Sequence, residues 1–264
     1  MHYSMVPATA ALLALLPATI ASPHSFSRRD SSTGQTHVGN VAYGSDIGSC
    51  SVAGTIALTF DDGPYIYTSQ VLDTLKTYGA KATFFVTGNN LGKGAIDTTQ
   101  QWSDLIKRMD AEGHQVASHT WTHPDLSTLS ETDRRNEMYN NEAALKNILG
   151  KFPTYMRPPY SSCTGACPTT MSDLGYHIIY FDVDTDDYNN DSPSLIIKAE
   201  NNFAAKVEGT SPNTQDFLAI AHDIHQNTAA TLVQYMLESV KRNGYKAVTV
   251  GDCMGDPQAN WYRS

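Results

Sequence analysis

Short apolar stretches typical of strands alternate with longer stretches typical of helices over about residues 55–250. Strands connected through helices form mainly parallel sheets, which either close into a (β/α) barrel or stay open and doubly wound. No internal repeat or long linker interrupts the alternation, so one domain over residues 45–264 is expected. The predicted strands are 55–58, 82–86, 115–117, 155–156, 176–181, 217–221 and 247–250. The predicted helices are 71–78, 102–111, 131–149, 194–206 and 229–242.

The chain begins with the features of a secretory signal. The apolar run at residues 10–16 is too short to span a bilayer, and residues 19–21 include the small side chains that signal cleavage requires. A dibasic pair, Arg28 and Arg29, offers a second cleavage site. The segments predicted ahead of the domain are a signal peptide at 1–21, a propeptide at 22–29 and a flexible polar lead-in at 30–44.

Charge and composition exclude several classes of partner. The chain has 18 basic and 27 acidic residues, a formal net charge of −9, and no cluster of Lys or Arg. This balance argues against nucleic acids and anionic membranes as partners. Its 41% of hydrophobic residues can form a sizeable core. Because the last residues lack the apolar tail of a lipid-anchor signal, no lipid anchor is expected. We expect the protein to be secreted, to lie outside the cell or in the cell wall, and to be a monomer.

Four cysteines in an exported chain are expected to form two disulfides, and four cysteines allow three connectivities. Cys163 and Cys167 are close enough in sequence to clamp one loop, which leaves Cys50 to pair with Cys253. The second bridge would join the start of the domain to its end. A zinc–thiolate site is the alternative, and export disfavours it.

Two of the polar clusters have the composition of a metal site. Asp61 and Asp62 follow the first apolar strand, although alone they fit a solvated Asp-Gly turn equally well. His119 and His123 are four residues apart, and one helical turn would place both rings on one face. Such a pair alone is more often found on a surface or in a core. With one of the two aspartates, however, the two histidines form a ligand set common in catalytic zinc sites.

Three further clusters follow later strands. Arg157 precedes two prolines that stiffen the backbone, although a rigid loop with a surface ion pair would look the same. Strand alternation places Asp182 and Asp184 on one face, which Asp186 can continue, and the alternatives are a solvated acidic turn or a calcium loop. His222 ends an apolar strand, where a single histidine is usually structural. Polar clusters after successive strands would gather at one rim, which favours the barrel.

In this order, the five motifs resemble those of polysaccharide deacetylases of the NodB-homology type, carbohydrate esterase family four. The resemblance covers roughly residues 55–250. It implies an irregular (β/α) barrel with mainly parallel strands and a metal-dependent hydrolase that removes acetyl groups. The motifs occur here as Thr-Phe-Asp-Asp-Gly-Pro, Ser-His-Thr-Trp-Thr-His, Arg-Pro-Pro-Tyr, Asp-Thr-Asp-Asp-Tyr and Leu-Ala-Ile-Ala-His-Asp.

The resemblance assigns a metal site and a general base. It implies that Asp62, His119 and His123 bind one divalent ion, zinc or alternatively cobalt. Asp61 would be the general base, and Arg157 would hold it ionised and oriented. A nearby Arg keeps a carboxylate ionised, so this role agrees with elementary electrostatics. No Gly-x-Ser-x-Gly motif is present, and direct attack by water without an acyl-enzyme is therefore expected.

The resemblance also assigns the acid side of the site. His222 would be the general acid, and Asp184 would raise its proton affinity. The backbone N–H of Tyr160 would help to bind the oxyanion. Leu218 and Ile220 would form the wall that contacts the acetyl methyl group.

The substrate is suggested by a closer similarity. Residues 161–167, with the outer disulfide, resemble secreted fungal chitin deacetylases, which implies chitin or N-acetylglucosamine oligosaccharides. Ser161 stands where glycine is frequent and Tyr188 where many members have Trp, and both departures bear on substrate. Tyr188 and Trp121 are candidates for stacking on sugar rings, with packing at the rim as the alternative. The rival functions are an acetylxylan esterase, a peptidoglycan N-acetylglucosamine deacetylase and a non-catalytic chitin-binding effector.

Overall fold

The computed structural model describes residues 37–264. The predicted signal peptide and propeptide, and the first part of the predicted lead-in, lie outside the described residues. In the part of the lead-in that is described, the ring of Tyr43 stacks on His37 and contacts His177 of the domain. Within residues 37–264, no helix is both long enough and apolar enough to cross a bilayer.

A curled sheet of nine parallel strands forms the centre of the molecule. The strands of residues 37–264 are β1 (Asp46–Ile47), β2 (Thr55–Asp61), β3 (Thr83–Val86), β4 (Gln115–Ser118), β5 (Phe152–Pro153), β6 (Tyr155–Met156), β7 (His177–Ile179), β8 (Val183–Asp184), β9 (Phe217–His222), β10 (Lys246–Val248) and β11 (Tyr262–Arg263). The sheet follows the order β1-β7-β6-β4-β3-β2-β9-β8, and β10 pairs with the first residues of β2, ahead of those that pair with β3. A short antiparallel pair, β5 and β11, lies outside this sheet.

Helices connect most of the strands and cover the outside of the sheet. The helices are α1 (Thr68–Thr77), α2 (Gln100–Ala111), α3 (Glu131–Leu149), α4 (Cys167–Asp173), α5 (Ile196–Val207), α6 (Val233–Arg242) and α7 (Val250–Cys253). A π-helical turn, Thr228–Leu232, precedes α6. Short 3-10 turns are formed by Leu126–Thr128, Pro159–Ser161, Asp187–Asn189 and Gln258–Asn260.

Sequence signals explain the best-defined helix, α3. It begins after Ser130, whose Oγ accepts a hydrogen bond from the backbone N–H of Asp133, a standard N-cap. It ends at Gly150, which adopts φ 73° as glycine does at helix C-termini. The predicted bounds, 131–149, are confirmed.

Burial on both faces explains why β2 is the central strand. All seven of its residues are buried, as expected for a parallel strand with side chains packed on each side. One face contributes Ile56, Leu58 and Phe60 to the core between sheet and helices. The other contributes Ala57 to a smaller cluster inside the curl, which also holds Leu218.

The sheet confirms the predicted irregular barrel with mainly parallel strands. Within residues 37–264 its path ends at β1 and β8 without closing, so the barrel is incomplete. Both predicted disulfides are present, Cys50–Cys253 and Cys163–Cys167. Because parallel strands share one direction, the carboxyl ends of β2, β4 and β9 open onto one rim.

Candidate active site

The two adjacent aspartates at the end of β2 point to different partners. Asp61 is the last residue of the strand and is only 2% exposed. The chain then turns sharply, and Asp62 adopts φ 74°. Asp61 Oδ1 lies 2.8 Å from Nη1 of Arg157, whereas Asp62 Oδ1 lies 3.1 Å from Nε2 of His123.

The two histidines lie on a loop after β4, and not on a helix, so the predicted helical turn is wrong. The loop is bent by positive φ angles of 70° at Thr120 and 64° at His123. Thr120 Oγ1 accepts a hydrogen bond from the backbone N–H of His123. The tight loop, rather than a helical face, brings the rings of His119 and His123 to a centroid distance of 4.9 Å.

Asp62, His119 and His123 form a cluster suited to a divalent ion. One ligand atom of each lies within 4.8 Å of the other two. His119 Nδ1 donates a hydrogen bond to the carbonyl of Arg157 at 2.7 Å, which leaves Nε2 free to coordinate. Burial lowers the pKa of His119 to about 3, so its ring is neutral. Asp62 Oδ1 is buried without a hydrogen-bond partner, as a metal ligand would be.

Arg157 orients the other aspartate. Its guanidinium is 1% exposed and donates to Oδ1 of Asp61 at 2.8 Å and to Oγ1 of Thr59 at 2.6 Å. It also donates to the carbonyls of Ile179 and Tyr180. A buried guanidinium in this fixed network supplies the counter-charge of the Asp61 carboxylate and fixes its direction.

His222 ends β9 opposite this pair, and its carboxylate partner is Asp187, not the predicted Asp184. His222 Nδ1 lies 2.7 Å from Oδ1 of Asp187, and the His222 backbone N–H donates to Oδ2 of the same residue. Asp184 is exposed and instead accepts hydrogen bonds from the backbone of Asp186 and the hydroxyl of Tyr188. The resemblance implied Asp184, but β8 ends at that residue and the chain then turns at Asp186, which has φ 54°, so that Asp187 faces His222 instead.

The Asp187 contact changes the acidity of His222. Burial by itself lowers the pKa of His222, but the charge and hydrogen bond of Asp187 outweigh it and raise the pKa to about 9. For Asp187, burial by itself raises the pKa, but the charge of His222 and hydrogen bonds from His222 and Thr228 outweigh it and bring the pKa below its usual value. His222 therefore carries a proton at neutral pH, as a general acid must.

The two aspartates, the two histidines of the cluster, Arg157 and His222 line one cavity of about 410 Å³. The ring of Tyr160, whose residue is 70% exposed, packs edge-on against His123, and the exposed ring of Tyr188 packs against His222. The cavity thus has exposed aromatic rings on both its metal-ligand and its acid side. Besides Asp61, Asp62 and the two histidines of the cluster, its lining consists of Arg157, Pro158, Tyr160, Ser161, Phe181, Tyr188, Ile220, His222 and His225.

Two predicted substrate contacts lie elsewhere. Leu218 is fully buried in the cluster inside the barrel, two residues below Ile220, and does not line the cavity. Trp121 packs with the outer core above Gly88 rather than facing the cavity. Its place in the second motif made it a candidate for stacking on sugar rings, but the glycine beneath it leaves space for the ring to pack inward.

Three residues of the site were missed by the sequence analysis. Asp187 was missed because the turn after β8 is not visible from alternation. Phe181 and His225 line the cavity without belonging to a quoted motif, although His225 follows His222 by only three residues. His225 Nδ1 lies 3.2 Å from Oδ2 of Asp191, which fixes the ring beside His222.

Comparisons with known proteins agree with this geometry. A sequence profile of the family described as Polysaccharide deacetylase matches residues 49–179. A chitin deacetylase from Colletotrichum lindemuthianum is 41% identical over 268 residues, covering 100% of both chains. One from a Pestalotiopsis species is 43% identical over 230 residues, 87% of this chain and 74% of that one. The solved structure of the Colletotrichum lindemuthianum chitin deacetylase matches with a TM-score of 0.81 and 42% identity, over 84% of this chain and 97% of that chain.

Proposed function

Because the chain belongs to the polysaccharide deacetylase family, we propose that it hydrolyses the N-acetyl groups of chitin or chitin oligosaccharides, releasing acetate and leaving glucosamine units. One observation carries the proposal. A carboxylate held by Arg157 and a histidine protonated through Asp187 line the same cavity as the Asp62, His119 and His123 cluster. That combination supplies the base, the acid and the metal site that amide hydrolysis requires.

The base and the acid act on opposite sides of the reaction. Asp61 uses one oxygen to bind Arg157, and its other oxygen, Oδ2, accepts the proton of the attacking water. As the C–N bond breaks, His222 donates its Nε2 proton to the leaving nitrogen, while Asp187 stabilises the charged ring. Water attacks the acetyl carbon directly, and no acyl-enzyme is formed.

Asp62, His119 and His123 would hold the divalent ion, which we propose is zinc, with cobalt as the alternative. When bound there, such an ion lowers the pKa of water and polarises the acetyl carbonyl. The backbone N–H of Tyr160, a cavity residue with φ 59°, contributes a hydrogen bond to the oxyanion. Ile220, 6% exposed in the cavity wall, contacts the acetyl methyl group.

The substrate assignment is supported by the relatives and by the rings around the cavity. The relatives reported above are chitin deacetylases. Tyr160 and Tyr188 are exposed beside the cavity, where aromatic rings can stack on sugar faces. Two disulfides support secretion to the extracellular space or cell wall, because disulfides persist in oxidising compartments.

Acetate release from several substrates tests the proposal. Purified protein with added zinc or cobalt is incubated with N-acetylglucosamine oligomers, acetylxylan and peptidoglycan, with Asp61→Asn as the matched inactive variant. We expect release from the oligomers that the variant lacks. Release from acetylxylan alone would identify an esterase, and release from peptidoglycan alone would move the substrate to that polymer. Binding of oligomers without any acetate would identify a chitin-binding protein and refute the hydrolase.

A further inference from the structure

A lysine outside the five motifs contacts the turn that carries the two aspartates. Lys93 lies in the loop after β3, and its Nζ is 3.2 Å from the carbonyl oxygen of Asp62 and 3.1 Å from that of Gly63. It also donates to Oγ1 of Thr87 at 2.9 Å. The mechanism described above uses neither Lys93 nor Thr87.

These contacts hold a backbone conformation that is uncommon for residues other than glycine. Asp62 has φ 74°, in the left-handed region that favours glycine. Thr87 Oγ1 donates to the carbonyl of Asp62 at 2.6 Å, and the Thr87 backbone N–H donates to that of Gly63 at 3.0 Å. Two successive carbonyls are therefore held by the same two residues: Lys93 binds both through its side chain, whereas Thr87 binds that of Asp62 through its hydroxyl and that of Gly63 through its backbone N–H.

Lys93 is itself held in place by the fold. The carbonyl of Lys93 accepts a hydrogen bond from Nε1 of Trp102, a 6% exposed residue of α2. Gly63 also lies against the fully buried carboxylate of Asp223, so close that a Cβ at Gly63 would overlap Asp223 Oδ2. That carboxylate is fixed by the hydroxyl of Thr68. The turn thus contacts both Lys93 and Asp223, and each of these residues is itself held by a hydrogen bond.

We propose that Lys93 is a positioning residue for the metal ligand Asp62. By binding the carbonyls of Asp62 and Gly63, Lys93 and Thr87 hold the turn in the one conformation that places Asp62 Oδ1 beside Nε2 of both histidines. The inference rests on the metal site of the proposed function. Groups that orient a metal ligand typically change metal affinity by about 10- to 100-fold when removed.

Charge alone would produce the opposite effect, which makes the sign of the result informative. Removing a positive charge near the site would strengthen the binding of a divalent cation, because like charges repel. Loss of positioning weakens binding instead. A variant of Thr87 separates the two effects, because Thr87→Val removes hydrogen bonds to the carbonyl of Asp62 and to Lys93 without changing any charge.

Zinc affinity of the full chain, measured by competition with a chelator, tests the inference. We expect Lys93→Met to bind zinc roughly 10- to 100-fold more weakly and Thr87→Val roughly 2- to 10-fold more weakly. Lys198→Met, at an exposed lysine of α5, is the matched control and should not change the affinity. Unfolding of the metal-free proteins is measured in parallel, because a merely structural role would lower metal-free stability and leave the zinc affinity as it is.

Failure of the metal site and failure of the positioning role give different results. If His119→Ala binds zinc as tightly as the wild type, the metal site is wrong, and the proposed function loses its basis. If His119→Ala abolishes binding but Lys93→Met and Thr87→Val bind as tightly as the wild type or more tightly, the metal site stands and the positioning role is refuted. Should Lys93→Met fail to fold, Thr87→Val alone decides.

Discussion

Adjacent carboxylates at the end of β2 face different partners because the backbone between them turns. Asp61 ends the strand with its carboxylate on Arg157, and Asp62, at φ 74°, faces His119 and His123. Substitution of each side of the pair should therefore have separable effects. Asp61→Asn should retain zinc and lose roughly 10²- to 10⁴-fold in kcat/KM, because Asn accepts no proton from water.

His119→Ala is the partner experiment. It removes a ring whose Nε2 faces the cluster, so zinc should be lost together with activity. Zinc content and acetate release, measured on both variants, distinguish base from ligand. An Asp61→Asn variant with a near wild-type rate would show that the base has been misassigned.

The pairing of His222 with Asp187 predicts a specific pH dependence. The acid must be protonated, and with the pKa of His222 raised to about 9, activity should persist above neutral pH and decline as the pH rises through that pKa. Bound cation would lower this limit, because the charges of Asp61 and Asp62 also contribute to the raised pKa. In Asp187→Asn the alkaline limb should move down toward the ordinary histidine value of about 6.5 or below.

Asp184→Asn is the matched control, since the exposed Asp184 carboxylate contacts Asp186 and Tyr188 and not His222. Its pH–rate profile should keep the wild-type alkaline limb. A shift in Asp184→Asn and none in Asp187→Asn would restore the role that the family resemblance implies for Asp184.

Asn190, Asp191 and Ser192 form the Asn-x-Ser pattern of an N-glycosylation site, close to the acid side of the cavity. The Asn190 side chain is 5% exposed, and its amide donates to the carbonyl of Asp186 at 2.7 Å. An amide nitrogen enclosed in this way has no room for a glycan in the folded protein. No sugar chain is therefore expected beside the acid side of the cavity.

Loops, rather than strands, determine where the ligands lie. Gly88, after β3, donates its backbone N–H to the carbonyl of Thr120 and lies directly beneath the ring of Trp121. A Cβ at Gly88 would be 1.9 Å from Cε3 of Trp121. Gly88→Ala must displace the ring, and with it the loop between His119 and His123.

We expect Gly88→Ala to lower the free energy of unfolding by about 1–3 kcal/mol and to weaken zinc binding. Gly48→Ala is the control, because a Cβ at Gly48 would meet only the carbonyl of Phe181, at 4.0 Å. Denaturant unfolding and chelator competition measure the two effects. If Gly88→Ala matched Gly48→Ala in both, the loop would be adaptable and its packing on Gly88 irrelevant to the site.

The difference between strands and loops also explains how much of the fold and of the site could be predicted from the sequence. Apolar runs and helix caps located β2, β9 and α3, since these signals are local. The conformation of residues 119–123 was predicted wrongly as a helical turn, because positive φ angles at Thr120 and His123 have no signature in those side chains. The partner of His222 and the position of Lys93 depend on how distant loops meet, which spacing within one segment does not contain.

At the scale of the whole molecule, the last elements of the domain are joined to its first strands. β10 pairs with the first residues of β2, and Cys253 in α7 bonds to Cys50 ahead of that strand. The bridge closes a loop with a sequence separation of 203, whereas Cys163–Cys167 closes one of 4. A longer loop loses more entropy in the unfolded chain when it is closed, so the two bridges should differ in stabilisation.

Replacing each pair with alanine tests that difference. All four cysteines are buried, so both double variants lose similar packing, and the contrast reports loop length. In the chain-entropy model the outer bridge contributes about 5 kcal/mol to the free energy of unfolding and the inner one about 2 kcal/mol. Guanidinium unfolding should therefore show the larger loss in Cys50→Ala/Cys253→Ala. Neither bridge contributes a group to the cavity, so native-state zinc affinity should change little in that variant. Equal losses would mean that local packing, and not loop closure, sets the contribution of the outer bridge.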